Sequence, residues 1–468
     1  MHPQTKNQIQ TTMKHLILLL SIIACCSCSV RKRCVEPDIA LPDQIVAEID
    51  ADSACVADIH WSEIFTDTLL QNLINKTLEQ NKDLLTATAR VQELEKLHRV
   101  ARADYFPAIG AEGYIEHETH NLTAENQTLD LEVSAKLTLA WEADFFGRVR
   151  WAQKEAIANY LKSAEGQKAL QMTLIADVAT AYFQLMALDN ELEIIKRTLE
   201  TRQEDLNKAR LRFEGGMTSE IPYQQAQVEF ASTAVLIPDL KRKIEIKENE
   251  ISLLTGEMPT NIQRSNIHQY KLAIDTLKIG LPSDLIKRRP DISSAEQSLK
   301  AKLAKAGYAW AERFPRFVIN LEGGLEHSDF NGFFTAPLTY AIGELTAPLF
   351  AFGKRKAKYD AAIKAYDAER FQYEKKVLQA FNEVNNAVTS YSSANKQAEL
   401  MENLKNSAKK YLDLAQVQHI NGQINYIDVL DAQRSYLNAE IDLSYAIRDK
   451  YIALIELYKS LGGGWQNQ

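Results

Sequence analysis

The chain has 468 residues, of which 46% are hydrophobic and 25% charged, and its net charge is −8. This composition allows a sizeable core or long packed helices, and it lacks the strongly basic balance typical of nucleic-acid-binding proteins. No nucleic acid is therefore expected as a partner. After the N-terminal region no segment approaches about eighteen uninterrupted apolar residues, which excludes an ordinary helical inner-membrane protein.

The N-terminal segment has the pattern of an export signal. Leu16 to Ala24 is a nine-residue apolar run that follows Lys14 and His15. Such a run is too short to span a bilayer as a helix, but it suits the apolar part of a signal peptide. We predict a signal peptide at 1–27, with Met13 as an alternative start of translation.

The cysteines lie almost entirely beside this signal. Cys25, Cys26, Cys28 and Cys34 follow the apolar run, and no cysteine occurs after Cys55. This distribution does not indicate a disulfide framework. It resembles a bacterial lipoprotein cleavage site, with Cys28 as the preferred lipidated residue, Cys25 as the alternative, and 28–60 as a lipid-anchored linker. The competing interpretation is a plain signal peptide with incidental cysteines.

Residues recur at a fixed offset through most of the chain. At an offset of 206, the matches are Phe146-Gly147 with Phe352-Gly353, Gly216 with Gly422, Ala226-Gln227 with Ala432-Gln433, and Gly256 with Gly462. Upstream, at an offset of 208, they are Asp83 with Asp291 and Phe106-Pro107 with Phe314-Pro315. We therefore predict two tandem repeats, at 61–257 and 281–462, with a linker at 258–280 and a tail at 463–468.

Each repeat contains one very long stretch that is nearly free of helix breakers. From Arg148 to Phe213 the only breaker is Gly166, and none lies between Gly353 and Gly422. At 1.5 Å per residue, about 65 residues form a helix of roughly 100 Å. Alternating steps of four and three predict left-handed coiled-coil packing. The apolar residues are Leu174, Val178, Ala181, Leu185, Leu188, Leu192, Ile195 and Leu199 in one copy, and Val377, Phe381, Val384, Val388 and Tyr391 in the other.

The long helices are expected to reverse at glycine and to return as second helices. Gly215-Gly216 and Gly422 mark these reversals, because a sharp turn after a helix needs a residue that tolerates positive φ. The predicted tips of the two helical hairpins lie near 212–221 and 418–427. The returning helices run towards Gly256 and Gly462.

A β-hairpin is predicted between the helices of each repeat, at 108–141 and 316–350. From Leu131 to Glu142 apolar and polar residues alternate, which is the period of a strand with one apolar face. Ile109 to Glu116 and Phe317 to Glu326 alternate less cleanly. Leu338, Tyr340 and Ile342 begin a fourth strand, and a break in its phase at Glu344 and Leu345 predicts a β-bulge or a barrel rim.

Four strands of roughly ten residues match membrane-spanning β-strands, but they cannot close a barrel alone. Open edges are not tolerated in lipid, so several chains must share one barrel. A trimer gives twelve strands and a dimer eight, and only the larger barrel leaves a lumen. Aromatic residues would suit the interfacial girdles, although ordinary strand packing uses them as often: they are Trp141, Tyr340, Phe330, Phe333 and Phe334.

Several motifs together resemble the TolC/OprM/NodT family of outer-membrane efflux factors. They are "LIKRRPDISSAEQSL" (285–299), "WEADFFGR" (141–148), "RADYFPAI", "AERFPRFVI", "APLFAFGKRKA" (347–357) and "LYKSLGGGW" (457–465). The resemblance covers nearly the whole mature chain in the family's order. It implies a mainly α fold with membrane β-strands: a homotrimeric tunnel with a twelve-stranded outer-membrane barrel and a periplasmic barrel of coiled-coil helices.

The resemblance also implies partners and a passive mechanism. Family members work with a periplasmic adaptor (membrane fusion) protein and an inner-membrane pump, usually of the resistance-nodulation-division (RND) type. The chain would then lie in the outer membrane, anchored in its lipid, and extend into the periplasm. Energy would come from the pump. The sequence contains no His-Glu-x-x-His, Gly-x-Ser-x-Gly, phosphate-loop or zinc-ligand pattern, so neither an enzyme nor a cofactor or metal is expected.

Asp428 and Asp431 are the candidate gate and selectivity residues. They are three apart, just after the Gly422 turn, and so share one face of the returning helix. Under threefold symmetry they would form two acidic rings that attract cations. The alternative is that aspartate is simply favoured in the first turns of a helix. Where relatives hold the tip shut with a tyrosine and an arginine, this chain has His419 and Ile424, so those bonds cannot be transferred.

The two tips are also the predicted adaptor-docking surfaces, although their glycines have a purely structural explanation as well. The docking candidates are Arg212, Gly215, Gly216, Met217, Thr218, Gly422, Gln423 and Ile424. Structural roles are assigned to Pro107 and Pro315 at helix-to-strand junctions and to Gly147 and Gly353 at strand-to-helix junctions. Arg288, Arg289 and Asp291 either form ion pairs that fix the first helices of the second repeat or form a solvated cluster.

The sequence leaves two further questions open. A trimeric coiled-coil adhesin or scaffold would explain the heptads and the lipidation, but it would not explain the paired β-hairpins. The transported solute is also not specified. Only 7 methionines occur, without a cluster, which weighs mildly against a dedicated copper or silver route, because soft metals favour thioether and thiolate ligands.

Overall fold

The computed structural model describes residues 33–40, 56–120, 128–267, 282–328, 332–346 and 351–465. The predicted signal peptide, Cys25, Cys28, Phe330 and most of the linker at 258–280 lie outside these residues. The chain divides into two compact units. Unit 1 comprises Met1–Ile39, Arg90–Ala164 and Ser294–Lys375, and unit 2 comprises Ala40–Ala89, Glu165–Ser293 and Lys376–Gln468. Each unit therefore draws on both sequence repeats.

The two repeats have the same order of elements. The first contains α1 (Thr68–Gln80), α2 (Lys82–Ala103), β1 (Ala108–His120), β2 (Thr128–Ala143), α3 (Arg148–Glu214), α4 (Ile221–Ala234) and α5 (Leu236–Leu254). The second contains α6 (Pro282–Arg288), α7 (Pro290–Ala311), β3 (Arg316–His327), β4 (Pro337–Thr346), α8 (Lys354–Ile420) and α9 (Tyr426–Ser460). Short helical turns occur at Val56–Asp58, Trp61–Ile64 and Phe333–Thr335.

The long helices follow the predicted repeat. Helices α3 and α8 each contain 67 residues, and both their ends are related by the offset of 206. The returning helix of the second repeat, α9, is continuous, whereas its counterpart is divided at Val235 into α4 and α5. Pro238 explains this difference, because it cannot donate the helical hydrogen bond to the carbonyl of Ala234. The prediction of two long helices is confirmed, with one returning helix interrupted.

The four strands form one antiparallel sheet in the order β1-β2-β3-β4. Ile109 pairs with Leu139, Leu139 with Leu321, and Leu321 with Ala341, so one apolar face extends across the sheet. The large apolar side chains exposed on this face are Ile109, Ile115, Leu137, Trp141, Leu321 and Leu345. The opposite face carries charged residues, among them Glu112, Lys136 and Glu322.

Of the two predicted explanations for the break in phase in the fourth strand, a β-bulge or a barrel rim, the β-bulge is wrong. The ladder between β3 and β4 keeps one register from Arg316 opposite Thr346 to Leu325 opposite Pro337, without an inserted residue. Tyr340 is paired with Glu322 and therefore lies on the polar face with it. Leu345 is paired with Phe317 and lies on the apolar face. The apparent change of phase has a simple cause. In the first half of β4 the apolar residues Leu338, Tyr340 and Ile342 lie on the polar face of the sheet.

Unit 1 has its own apolar cluster beside the sheet. Trp310, Tyr359, Ile363 and Tyr366 are buried there together with Cys34. At the junctions, Pro107 and Pro315 directly precede β1 and β3. Gly147 and Gly353 directly precede α3 and α8, with φ of 80° and 78°. These two positions require the left-handed backbone that glycine adopts without strain.

The core of unit 2 is centred on the middle of α3. Leu174, Val178, Ala181 and Leu185 of the predicted heptad stripe are buried, as are Ile175, Tyr182 and Phe183 on other faces. This part of α3 is thus surrounded, which a heptad stripe alone does not predict. In α8, by contrast, burial follows the stripe, because Val377, Val384 and Val388 are buried whereas the neighbouring Leu378 is 65% exposed.

Ion pairs hold the start of the second repeat within unit 2. Arg289 lies between α6 and α7, and its side chain is 5% exposed. It donates to Asp291 at 2.8 and 3.0 Å, to Glu383 at 2.5 Å and to the Ser460 carbonyl at 3.0 Å. Arg288 pairs with Asp58 at 3.0 Å. These contacts confirm that the residues form ion pairs and exclude the alternative of a solvated cluster.

Candidate functional site

The two hairpin tips in unit 2 close in the same way. In the first, Gly216 has a φ of 68°, Met217 N donates to the Arg212 carbonyl at 2.8 Å, and Gly216 N donates to the Phe213 carbonyl at 2.9 Å. In the second, Gly422 has a φ of 73°, and Gln423 N donates to the Gln418 carbonyl at 2.9 Å. These bonds form a Schellman motif, which ends a helix at a left-handed glycine.

The predicted docking residues are accessible at these tips. Arg212, Gly215, Gly216, Met217, Gly422 and Gln423 are exposed, and Thr218 and Ile424 are partly exposed. The next helix starts are also fixed locally. Pro222 lies in the first turn of α4, and the Asn425 backbone N–H donates to the Asp428 carboxylate at 3.0 Å at the start of α9.

The two candidate acidic residues therefore have local partners. Asp428 is half-buried and caps α9 through Asn425, as the alternative interpretation of the sequence expects. Asp431 is exposed and accepts from the Tyr411 hydroxyl at 3.4 Å. Both contacts stay within the second hairpin.

The residues at the positions of the relatives' gating pair also contact each other. His419 Nδ1 donates to the Ile424 carbonyl at 3.2 Å, and the His419 ring lies 5.6 Å from the Tyr426 ring. Both interactions stay within the second tip. They stabilise its turn rather than tying it to the first hairpin.

A buried charge cluster, which the sequence did not reveal, lies a few turns from the tips. Glu229 of α4 is paired with Arg202 of α3 at 3.0 Å and accepts from Arg434 Nε of α9 at 2.9 Å. Burial raises the pKa of the nearby Tyr426 hydroxyl to about 12, and the carboxylates of Asp205 and Glu229 contribute to this shift. One sequence signal could have found the cluster. Glu229 lies between Ala226 and Thr233 on the buried stripe of α4. A carboxylate on such a stripe needs a partner of opposite charge.

A groove lies between α4 and α9 on the tip side of this cluster. We call it the tip groove; its volume is about 500 Å³, and its lining residues are Glu220, Ile221, Gln224, Gln225, Val228, Glu229, Ile427, Leu430 and Arg434. Ile221, Val228 and Ile427 are more than half exposed. The groove thus combines exposed apolar side chains with polar and charged ones.

Comparison with known proteins identifies the family. The family model for outer membrane efflux protein matches residues 73–257 and 281–463, which cover both repeats. The chain belongs to this family. Among curated relatives, the solvent efflux pump outer membrane protein SrpC of Pseudomonas putida is 32% identical over 410 residues, 86% of this chain and 87% of the relative. The cation efflux system protein CusC of Escherichia coli O157:H7 is 30% identical over 411 residues, 87% of this chain and 88% of the relative.

A solved structure agrees with this assignment. The MtrE outer membrane channel of Neisseria gonorrhoeae, in its open state, matches with a TM-score of 0.85 and 27% identity, over 92% of this chain and 97% of the channel. This efflux protein therefore has the fold of the TolC-like outer-membrane channels. It is the outer-membrane component of an efflux system and a transport duct, not an enzyme.

Two features are absent from the described residues. No helix in these ranges is both long and apolar enough to cross a membrane. In the same part of the chain, no group of three or more His, Cys, Asp or Glu side chains is arranged to hold a metal ion.

Proposed function

We propose that three copies of this efflux protein form one continuous duct through the outer membrane and the periplasm. The observation that carries this proposal is the four-stranded sheet, in which β1 and β4 are edge strands. An edge in lipid leaves backbone groups without hydrogen-bond partners, so each edge needs a strand from another copy. Three four-stranded sheets give twelve strands, which is wide enough for a lumen.

A second surface supports the association of several copies. On α8, four large apolar side chains are exposed at heptad spacing: Leu400, Leu404, Tyr411 and Leu414. They lie outside the stripe that packs within the chain, where Ala408, Leu412 and Ala415 are buried. An exposed heptad stripe is suited to a helix of a neighbouring copy.

We also propose that the mature chain is anchored in outer-membrane lipid through Cys28, with Cys25 as the alternative. Residues 33–39 belong to unit 1, where Arg33 pairs with Asp360 at 3.1 Å and the Val35 carbonyl accepts from Tyr366 at 3.1 Å. Four residues lie between Cys28 and Arg33, so chain length keeps the lipidated residue within about 20 Å of this contact. Unit 1 also contains the sheet that we propose to lie in the membrane, and this supports an anchor close to that sheet.

Native mass spectrometry of the full-length protein, extracted from the outer membrane in detergent, tests both proposals. We expect three times the protomer mass, with each protomer beginning at Cys28 and carrying acyl groups. A well-folded monomer would contradict the shared barrel, because four strands cannot close alone. A trimer of protomers without acyl groups would contradict the anchor and leave the barrel in place.

We further propose that the tips dock a periplasmic adaptor that links this duct to an inner-membrane pump of the RND type. The tip groove supports this role, because its exposed apolar side chains suit the apolar face of an amphipathic helix. Its lining residues Glu220 and Arg434 offer charges of both signs for orienting such a helix. The docking residues of both tips adjoin the groove along the chain, because its lining residues Ile221 and Ile427 follow Thr218 and Ile424 by three residues.

Asp428 and Asp431 are proposed to form acidic rings at the narrow end of the duct. Their positions in the first repeat are Pro222 and Gln225, so one hairpin of each copy would supply the rings. The exposure of Asp431 supports this role, and the capping bond of Asp428 uses one of its two carboxylate oxygens. Six carboxylates around a narrow opening would favour cations.

Replacement of Asp428 and Asp431 by serine is expected to lower the preference for cations in planar-bilayer recordings under a salt gradient. Serine keeps a side-chain oxygen near the helix start, which limits the loss of capping. Asp413→Ser is the control, because Asp413 is a half-exposed carboxylate of α8 near the same tip. Equal cation preference in the double variant, the control and the wild type would exclude the rings without excluding the duct.

A further inference from the structure

The polar face of the sheet is interrupted by apolar side chains on its fourth strand. Leu338, Tyr340 and Ile342 follow one another on this face of β4, and Tyr340 and Ile342 are 52% and 38% exposed. Because every second residue of a strand lies on the same face, the three form a row about 13 Å long. We call it the apolar row. On the opposite face, β4 carries the small residues Thr339, Ala341 and Gly343.

Carboxylates lie beside the apolar row. Glu322 of β3 is directly opposite Tyr340 in the ladder, and Glu344 follows Ile342 on the same face of β4. Residues that are directly opposite have Cβ atoms about 5 Å apart, so the Glu322 carboxylate and the Tyr340 ring can contact the same small molecule. Within the described part of the chain, the Glu322 carboxylate makes no hydrogen bond or salt bridge. It therefore remains available to a cation.

The protein's own cations on this face contact other carboxylates. Among the described strand residues, the lysine and the arginine on the polar face are Lys136 and Arg316. Lys136 contacts Glu326, and Arg316 donates to Glu142 at 2.9 Å. Neither forms a salt bridge with Glu322. The surface beside the apolar row thus keeps a negative charge that attracts cations.

We propose that the apolar row and Glu322 form a transient binding site for amphiphilic organic cations as they leave through the duct. This inference rests on the proposed shared barrel, in which the apolar face of the sheet contacts lipid and the opposite face lines the lumen. Leu338 and Ile342 contact the apolar body of the solute, because this contact removes apolar surface from water. The Tyr340 ring and the Glu322 carboxylate contact its positive group, through cation–π attraction and opposite charge.

The combination of groups favours this class of solute over three others. Hard metal cations take several oxygen ligands, and no cluster of three or more His, Cys, Asp or Glu side chains in the described ranges is arranged to hold one. A neutral solvent molecule gains nothing from the charge of Glu322, and an organic anion is repelled by it. Because Tyr340 is half exposed, binding is weak, as a conduit requires of a solute that must also leave.

Equilibrium dialysis of the full-length protein, extracted from the outer membrane in detergent, tests this site. The probe is tetraphenylphosphonium, an apolar organic cation, and protein-free micelles provide the background. The comparison probe is tetraphenylborate, which has a similar shape and the opposite charge. We expect saturable binding of the cation above the micelle background and none of the anion. Native mass spectrometry of the same preparation reports the oligomeric state.

Two substitutions should weaken the binding of tetraphenylphosphonium. Tyr340→Thr and Glu322→Gln are each expected to lower the affinity about fivefold, as for the loss of one cation–π or charge interaction at an exposed site. Threonine suits an exposed strand position, so the Tyr340 variant is expected to fold. Tyr340→Phe keeps the ring and should bind as the wild type does. Glu132→Gln is the control for charge, because Glu132 lies on the same face, on β2, and accepts from the Tyr114 hydroxyl.

The contrary outcomes separate the parts of the proposal. Equal binding of tetraphenylborate would overturn the assignment to cations. Wild-type affinity in Tyr340→Thr, or equal losses in Glu322→Gln and Glu132→Gln, would overturn the position of the site on β4. A preparation of trimeric mass without saturable binding would overturn the site and leave the duct in place. A monomeric mass would overturn the shared barrel and, with it, a site in its lumen.

Discussion

Replacing Arg289 with alanine is expected to lower the free energy of unfolding by about 3–5 kcal/mol, because one partner of a buried ion pair is removed. The Asp291 carboxylate, which is 18% exposed, and the Ser460 carbonyl both lose their contact with the guanidinium. Chemical denaturation of the detergent-solubilised protein, followed by circular dichroism at 222 nm, measures the loss. Arg289→Lys should recover part of it, because a lysine restores the charge without the planar fork.

The control for this prediction is Arg242→Ala. Arg242 is 61% exposed and forms a pair with Asp239 in the same helix, so its loss should change the free energy of unfolding by less than about 1 kcal/mol. Equal denaturation midpoints for Arg289→Ala and Arg242→Ala would show that the Arg289 network does not stabilise the start of the second repeat.

The same network should make stability depend on acid pH. Burial alone would raise the pKa of Asp291. The hydrogen bonds and charges of Arg289 and Lys376 outweigh this effect and lower the pKa to about 2. Because the folded-state pKa is below the unfolded value, the carboxylate stabilises the fold fully above about pH 4 and loses this effect as the pH falls towards 2. The stability difference between the wild type and Asp291→Asn should accordingly shrink by about 2 kcal/mol over this window.

The helical architecture could be predicted because its signals are local. Glycines at the two tips and the near absence of breakers before them, with Gly166 as the exception in α3, define α3 and α8 to within a residue or two. The heptad stripe likewise identified the buried face of α8. The same stripe underestimated the burial of α3, because which helices surround it depends on the packing of distant segments.

The fourth strand shows why the alternation of apolar and polar residues was not sufficient to predict which residues lie on which face of the sheet. Leu338, Tyr340 and Ile342 suggest an apolar face, but the face of a strand is set by the register of its partner. Pairing with β3 places Tyr340 beside Glu322 and Ile342 beside Asn320, on the polar side of the sheet. The register depends on β3, and a single strand's sequence does not contain it.

The charge cluster at Glu229 was missed for a related reason. Glu229 and Arg434 are 205 residues apart, and each is an ordinary residue within its own helix. Their contact exists because the two returning helices pack on the same side of α3. The repeat predicted both hairpins, but it did not specify how one hairpin lies against the other.

Val228→Asp is expected to abolish efflux without preventing assembly of the duct, if the tip groove receives an adaptor helix. Val228 is 63% exposed in the lining of the groove, so aspartate is tolerated in the free protein but would be desolvated beneath an apolar helix face. We expect the cell's resistance to fall to that of the deletion strain. The measurement is the minimum inhibitory concentration of the solute to which deletion sensitises the cell most, chosen from an organic solvent, a cationic dye and a metal cation.

Val235→Asp provides the matched control for this prediction. Val235 is the same residue type, is 69% exposed in the same hairpin, and lies seven residues further from the tip, outside the groove lining. It should retain wild-type resistance, and native mass should show the same oligomer for both variants. Full resistance in Val228→Asp would exclude the groove as the docking surface. Loss of resistance in both variants with an intact oligomer would mean that docking extends along the hairpin, because a helix laid in a groove depends on each apolar position that it covers.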